Sequence, residues 1–155
     1  SAPTRIDLAG GTIDIWPLYL FHDGALTLNA AISLRAHVQI DDHADGLTLT
    51  SVDTQASMTA AHWSELSATS RLPLLALLAR HYQLTNAALT TRGESPAGAG
   101  IAGSSALAIA LCGALARRTG ASEDAEQLLQ VAMNVECQTI RVPTGVQDYR
   151  PALYG

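Results

Sequence analysis

The chain has 155 residues, of which 48% are hydrophobic and 15% are charged, and its formal net charge is −5. This balance is typical of a globular domain and argues against a disordered chain or an extended nucleic-acid-binding surface. Because no window holds 18 uninterrupted apolar residues, we expect no membrane span and a cytoplasmic protein.

The first half of the chain predicts mainly β-strands. Ser1–Ala9 alternates loosely between apolar and polar residues, which favours a short strand. Three further strands are predicted at Leu26–Ile32, Arg35–Ile40 and Leu47–Val52. Turn-forming residues separate them at Asp23-Gly24, Ser33-Leu34 and His43–Gly46. Together these strands predict an antiparallel meander.

The second half of the chain predicts mainly helices. The predicted elements are a helix from about Arg71, a strand at Ala87–Thr91, a helix at Ser104–Arg118 and a helix capped within Ser122–Glu126. Pro73 fits the first turn of the first helix, and Gly120 is suited to end the second. Early strands followed by helices indicate an α+β domain.

A segment rich in glycine and alanine, Ser95–Leu107, precedes the second helix and reads S-P-A-G-A-G-I-A-G-S-S-A-L. Glycine lets a ligand approach the backbone closely, and a helix N-terminus presents unpaired N–H groups, so the segment suits a phosphate. The hydroxyls of Ser104 and Ser105 are placed to cap the helix or to face a metal. The alternative is a plain helix cap, since the segment matches neither common phosphate-loop motif.

Three acidic residues stand out by their context. Asp14 follows a Gly-Gly break, Glu136 lies near the end of the third helix, and Asp148 follows Thr-Gly-Val-Gln. Each one taken alone is better explained as a solvated or capping carboxylate. Combined with a phosphate loop and a hydroxyl at a helix start, they form the set of groups that phosphoryl transfer needs.

Three separated segments resemble motifs of the GHMP kinases, the family of galactokinase, homoserine kinase and mevalonate kinase. Ala2–Asp14, which reads A-P-T-R-I-D-L-A-G-G-T-I-D, resembles the opening motif in the form closest to sugar kinases, including heptose 7-phosphate kinases. Pro96–Ala106 resembles the family's P-x-x-x-G-L-G-S-S-A-A loop, and Pro143–Asp148 resembles the segment with the catalytic acid. The chain is thus similar to the N-terminal, ATP-binding half of such a kinase over residues 1–155.

The resemblance implies a role for each matched residue. Asp148 would be the catalytic carboxylate that deprotonates or orients the acceptor hydroxyl, and Arg5 would stabilise the transferring phosphoryl group. Glu136 and Ser104 would hold Mg²⁺. The phosphates of ATP would contact Pro96, Gly98, Ala99, Gly100, Ile101, Ala102, Gly103, Ser104 and Ser105. The sugar or sugar phosphate would contact Asp14, Gly10, Gly11 and Gly145.

The resemblance also implies a fold and a missing part. The fold would be α+β, like the second domain of ribosomal protein S5, with a mixed or antiparallel sheet packed against helices. GHMP kinases are longer than this chain, and we expect that their C-terminal domain, which closes the cleft, is absent from it. Two departures stand in the loop, where Ala102 and Gly103 replace the usual Gly and Ser.

Two other functions remain open at this point. One is a kinase of the mevalonate or homoserine branch, although Asp14 favours a sugar because a carboxylate accepts hydrogen bonds from hydroxyl groups. The other is a kinase-like domain without catalysis, a sugar sensor or a folding fragment, which the departures at Ala102 and Gly103 leave open. In every case the expected partner is a small molecule and not a nucleic acid or a membrane.

Overall fold

The computed structural model describes residues 1–96 and 98–155, and its centre is a five-stranded sheet. The strands are β1 (Ala2–Ala9), β2 (Leu28–Asp42), β3 (Leu47–Ser51), β4 (Ala56–Ala60) and β5 (Ala87–Gly93). Their order in the sheet is β1-β2-β5-β3-β4. β3 and β5 pair in parallel, and the other neighbouring strands pair antiparallel, so the sheet is mixed.

One face of the sheet is covered by the α-helices of the described residues. These are α1 (Pro73–His81), α2 (Gly103–Thr119), α3 (Ala125–Ile140) and α4 (Arg150–Tyr154). Alternate strand residues such as Leu49 and Leu89 are buried in one core with Leu111 and Leu115 of α2. Polar neighbours such as Thr48 point to the other face, as the two-residue period of a strand requires. The predicted α+β class is confirmed.

The predicted antiparallel meander is wrong in its strand order. β5, the last strand in the chain, lies between β2 and β3, where Leu89 pairs with Ile40 on one side and Leu49 on the other. Ala87 and Leu89 are buried at 0% and 1% exposure, which favours a central position for their strand. A meander is inferred from tight turns between successive strands, and such turns carry no information about a later strand.

The predicted turn at Ser33-Leu34 is also wrong, because β2 continues through both residues. Pro3 pairs with Arg35 and Arg5 pairs with Ala31, so two steps along β1 match four steps along β2. The extra residues form a β-bulge, which bends a strand without ending it.

The strand β4 was not predicted. Its sequence, A-S-M-T-A, has low intrinsic strand propensity and no long apolar run. It is stabilised by antiparallel pairing with β3, in which Leu49 lies opposite Met58. This pairing partner is not visible in a window of five residues.

The helix ends follow from local capping. Pro73 is the first residue of α1 as expected, and Gly120 ends α2 with φ 77°. The cap of α3 is Asp124, whose carboxylate accepts a 2.8 Å bond from Gln127 N–H, while the Gln127 side chain accepts a 2.8 Å bond from Asp124 N–H. None of the helices in the described part of the chain is long and apolar enough to cross a bilayer.

Gly113 offers a test of helix α2. It is exposed in the helix interior, and a Cβ added there would meet no other atom within 4 Å. Because glycine loses more backbone entropy than alanine in a helix, we expect Gly113→Ala to raise the free energy of unfolding by about 1 kcal/mol, measured by urea denaturation. The matched control, Gly120→Ala, should lower it, because φ there is 77°. A Gly113→Ala variant no more stable than the wild type would contradict the expectation.

Candidate active site

Arg5 on β1 connects the three segments that were predicted to form the site. Its backbone N–H donates to the Ile101 carbonyl at 3.1 Å, and its Nη1 donates to the Gly100 carbonyl at 3.0 Å. Its Nε donates to Asp148 Oδ1 at 3.1 Å, and Nη2 donates to the same oxygen. Arg5 is only 8% exposed, so these acceptors solvate a buried cation. The opening motif, the loop and the acid segment therefore meet at one side chain.

The Asp148 carboxylate lies in a 3₁₀ turn, Val146–Asp148, just before α4. Both contacts from Arg5 fall on Oδ1, and no donor among the described residues reaches Oδ2. The side chain is 23% exposed, so the carboxylate is accessible to a ligand. The Asp7 carboxylate also contacts the guanidinium, with Oδ2 at 3.1 Å from Arg5 Nη1. The arrangement orients one oxygen of Asp148 and leaves the other free for chemistry.

Asp14 lies against the same turn. Its Oδ2 accepts a 2.8 Å bond from Gln147 N–H, and a Cβ at Gly145 would overlap the Asp14 carboxylate. Position 145 therefore needs glycine because of this close approach. Burial, and then the nearby charge of Asp148, raise the pKa of Asp14, and its Oδ1 is buried with no partner among the described residues.

Gly10 and Gly11 form the turn that carries the chain from β1 to Asp14. Their φ angles are 86° and 123°, and a Cβ at Gly10 would lie 2.6 Å from the Leu26 carbonyl oxygen. Thr27 Oγ1 donates to the Gly11 carbonyl at 3.2 Å. The visible role of both glycines is thus to allow this turn. Asp14 itself lines a cavity of about 280 Å³, together with Asn29, His22, Gln147 and Arg150.

The loop before α2 has the backbone of an anion-binding segment. Gly98, Gly100 and Ala102 have φ of 75°, 71° and 57°, alternating with residues of negative φ. Alternation of this kind, followed by the free N–H groups of a 17-residue helix, forms a concave cradle of N–H donors. The loop lines a cavity of about 430 Å³, and the predicted contact residues on it are Pro96, Gly98, Ala99, Gly100, Ile101, Ala102, Gly103 and Ser104. Ala97 of the motif lies outside the described residues.

The side chains of the loop differ from the expected pattern at two positions. Ala102 has φ 57° and ψ 38°, a left-handed conformation that costs a residue with a Cβ about 1 kcal/mol. At Gly103 the space of a Cβ is filled by the Ser95 hydroxyl. Ser105, whose contact with the phosphates stays a prediction, has a buried side chain at 3% exposure.

Ser104 and Glu136 lie together although 32 positions separate them. Ser104 Oγ donates to Glu136 Oε1 at 2.5 Å, and Glu136 is 2% exposed on α3. A hydroxyl and a carboxylate are hard oxygen ligands of the kind that Mg²⁺ prefers. No group of three or more His, Cys, Asp or Glu in the described ranges could hold a metal alone. The pair fits an ion that is bound by one protein carboxylate together with phosphate oxygens.

Tyr149 and Thr144 belong to this site and were not predicted. The Tyr149 hydroxyl donates to Glu136 Oε2 at 2.8 Å and lies 2.9 Å from Thr144 Oγ1. Burial, and then the charge of Glu136, raise the pKa of Tyr149 above its usual range, so the phenol stays protonated and donates. No periodicity points to these residues. The available signal was their position, since Tyr149 follows Asp148 directly.

A further cavity, of about 760 Å³, lies between β2, α2 and α4. It is lined mostly by aliphatic residues with Arg117 and Arg118. It is larger than the cavities at Asp14 and at the loop, but none of its described lining residues is an Asp, Glu, His or Cys. The chemistry therefore points to the smaller cavities, which are lined by Asp14 and by the loop before α2.

Comparison with known proteins gives a consistent result. The family model for the GHMP kinases N terminal domain matches residues 69–155. The fold is similar to a D-glycero-D-manno-heptose 1-phosphate kinase from Bacteriodes thetaiotaomicron, at 27% identity and TM-score 0.88, over 99% of this chain and 52% of that one. No curated protein sequence gives a significant match.

Two other solved structures extend the comparison. A putative sugar kinase from Campylobacter jejuni is 25% identical with TM-score 0.81, over 99% of this chain and 49% of that one. The mevalonate kinase of Methanococcus jannaschii has TM-score 0.81 at 14% identity, over 99% of this chain and 50% of that one, and so shares the fold alone. The chain spans about half the length of these structures.

The raised pKa of Asp14 predicts that a substitution that removes its charge stabilises the protein, and that this gain depends on pH. A carboxyl group whose pKa is higher in the folded than in the unfolded protein makes the folded state less stable as the pH rises. This loss begins at the unfolded pKa, 3.8, and is complete above the raised native pKa. Asp14→Asn carries no charge, so it should raise the melting temperature at pH 7 and leave it unchanged near pH 3. Differential scanning fluorimetry across this range checks the prediction, with exposed Asp23→Asn as the control. An Asp14→Asn variant that is less stable at pH 7 would contradict it.

Proposed function

Because the chain belongs to the GHMP kinase family, we propose that it carries the ATP- and Mg²⁺-binding half of a small-molecule kinase. The reaction transfers the γ-phosphoryl group of ATP to a hydroxyl of a sugar or a sugar phosphate. The observation that carries the proposal is the set of bonds from Arg5, which joins the Asp148 carboxylate to the Gly100 carbonyl of the loop. An acid, a cation and a phosphate cradle within one side chain's reach are the groups that phosphoryl transfer requires.

The nucleotide phosphates bind at the loop in this proposal. The N–H groups at the start of α2 have no partner within the helix, and the helix dipole favours negative charge there. Positive φ at Gly98 and Gly100 supports a cradle that wraps an anion. The cavity along the loop has room, at about 430 Å³, for the phosphates and part of the nucleoside.

The metal binds beside the phosphates, at Ser104 and Glu136. When bound, Mg²⁺ offsets negative charge on the phosphates and orients them. The two residues contact each other at 2.5 Å, which supports their acting as one ligand pair. Their placement at the start of α2 and on α3 brings the pair to the same end of the helix as the loop.

Asp148 serves as the catalytic carboxylate, through its Oδ2. That oxygen is free among the described residues, so it can accept the proton, or a hydrogen bond, from the acceptor hydroxyl. Arg5 holds Oδ1 and keeps the carboxylate oriented. Its positive charge also offsets the charge on the phosphoryl group in transfer.

The acceptor is a polyol in this proposal because of Asp14. Its carboxylate shares a cavity with Asn29 and the backbone of Gln147, a set that recognises hydroxyl groups. Arg150 and His22 line the same cavity and suit a phosphate that the sugar carries. Gly10, Gly11 and Gly145 shape the wall around Asp14. A heptose phosphate kinase among the similar structures supports this substrate class.

Two alternatives remain as outcomes of the tests. The first is a mevalonate-branch kinase, although Asp14 favours a sugar because a carboxylate accepts hydrogen bonds from hydroxyl groups. A non-catalytic sugar-binding domain is favoured by the strained Ala102 and by the absence of a hydroxyl at Gly103.

Since the chain spans about half of the similar structures, we further propose that a C-terminal domain of the same protein completes the cleft. The full-length protein is therefore the form to assay, and we expect it in the cytoplasm.

Calorimetry on the full-length protein tests the nucleotide site. We expect ATP to bind in the presence of Mg²⁺, and Ser104→Ala to weaken that binding by about tenfold or more, since it loses a metal ligand. Ser105→Ala is the comparison and should have a smaller effect, because the Ser105 side chain is buried and does not line the loop cavity. No ATP binding by the wild type with Mg²⁺ present would refute the function. Equal effects of the two variants would refute the metal assignment.

A single substitution tests the catalytic acid. Asp148→Asn keeps the shape and the Oδ1 acceptor for Arg5 but removes the base, so kcat should fall about 10²–10⁴-fold, which is roughly 3–5.5 kcal/mol. ATP affinity should stay within a few-fold. Steady-state kinetics with a panel of sugars and sugar phosphates provides the measurement, and Asp23→Asn is the exposed control. A folded Asp148→Asn enzyme with near-normal turnover would show that Asp148 is only a structural residue.

A further inference from the structure

Tyr149 occupies an unusual place between the two proposed halves of the site. Its side chain is fully buried, and its hydroxyl donates to Glu136 Oε2 at 2.8 Å. The other oxygen of the same carboxylate, Oε1, accepts from Ser104 at 2.5 Å. In sequence, Tyr149 is the immediate neighbour of Asp148. Tyr149 is thus hydrogen-bonded to the proposed metal ligand, Glu136, and joined by a peptide bond to the proposed base, Asp148.

We propose that Tyr149 is a positioning residue, which fixes the Glu136 carboxylate for Mg²⁺ and sets its distance from Asp148. The inference rests on the kinase function proposed above. Its physical basis is that a carboxylate ligand needs an outer hydrogen bond on its second oxygen to hold one orientation. With Oε2 engaged by the phenol, Oε1 and Ser104 Oγ are the oxygens that remain for the metal.

The phenol is itself held in place from two directions. Thr144 Oγ1 lies 2.9 Å from the Tyr149 hydroxyl, and Thr144 in turn lies 3.3 Å from Cys137 Sγ on α3. The backbone N–H of Tyr149 donates to the Val146 carbonyl at 3.1 Å, which closes the turn that carries Asp148. A shift of the phenol would therefore move both acids together. A tyrosine that only filled the core would not couple the two acids in this way, so the contacts favour a positioning role for Tyr149.

The chain contains a matched control for the chemistry of this bond. Tyr82 is also buried, at 6% exposure, and its hydroxyl donates to Glu123 Oε2 at 2.5 Å. It borders a different cavity, with Gln83, Leu84 and Thr119 among its neighbours. Tyr149→Phe and Tyr82→Phe each remove the phenol oxygen of a buried tyrosine that is bonded to a glutamate, and each keeps the ring. Only the first is next to the proposed site.

The test measures ATP binding to the full-length protein by calorimetry at a series of Mg²⁺ concentrations. Mn²⁺ binding is measured separately by electron paramagnetic resonance. We expect Tyr149→Phe to raise the metal concentration for half-maximal effect by about 10–100-fold, as loss of an outer-shell partner does. ATP binding without metal should not change. Tyr82→Phe should lose stability and keep the wild-type metal dependence. High Mg²⁺ should restore the turnover of Tyr149→Phe.

The outcomes separate this inference from the kinase assignment. A wild-type protein without Mg²⁺-dependent ATP binding refutes the assignment and the inference with it. A wild type with such binding, and a Tyr149→Phe variant with the same metal midpoint as Tyr82→Phe, refutes the inference alone. If Tyr149→Phe does not fold, Thr144→Val decides: it should shift the metal midpoint in the same direction, while Thr144→Ser, which keeps the hydroxyl, should not. An unshifted Thr144→Val midpoint would overturn the proposal.

Discussion

The organisation of the site depends on the burial of one cation. The Arg5 guanidinium is 8% exposed, and a charge removed from water must be compensated by acceptors arranged around it. The acceptors are carboxylates of Asp7 and Asp148 and the Gly100 carbonyl, which come from the first strand, the last turn and the central loop. Any displacement of the loop or the turn leaves that charge underpaired. The same electrostatic requirement that stabilises the fold therefore also brings the phosphate cradle next to the acid.

The sequence predicted the members of the site better than their contacts. Arg5, Ser104 and Asp148 were identified because each lies in a short motif, and Glu136 because it lies near the end of a predicted helix. The structure places the four residues in contact as two pairs. Their roles stay predictions. Tyr149 was missed because its bond to Glu136 is tertiary, made between side chains with no spacing signature. The filling of space at Gly103 by the Ser95 hydroxyl was likewise invisible, since a missing Cβ does not specify which neighbour replaces it.

For the fold, local signals were reliable and pairing signals were not. Pro73 and Gly120 predicted the start of α1 and the end of α2, because caps act within a single turn of helix. The irregularity at Ser33-Leu34 was read as a turn, yet the same residues form a bulge once β1 pairs beside them. The strand order, by contrast, depends on pairing between strands that are distant in sequence, such as β5 with β2 and β3, and no local pattern specifies that pairing. Ala102, which replaces the usual Gly of the motif, has a left-handed backbone in the structure, with φ 57°.

The central position of β5 has a consequence for how the chain folds. The first four strands can form two separate hairpins, β1–β2 and β3–β4, but the sheet order lets these hairpins join only through β5. That strand starts at Ala87, so all four earlier strands and the helix α1 must leave the ribosome before the native sheet can close. The loop and helix that follow β5 emerge later still. The long sequence separation of these pairings predicts slow assembly, with unjoined hairpin edges exposed in the meantime.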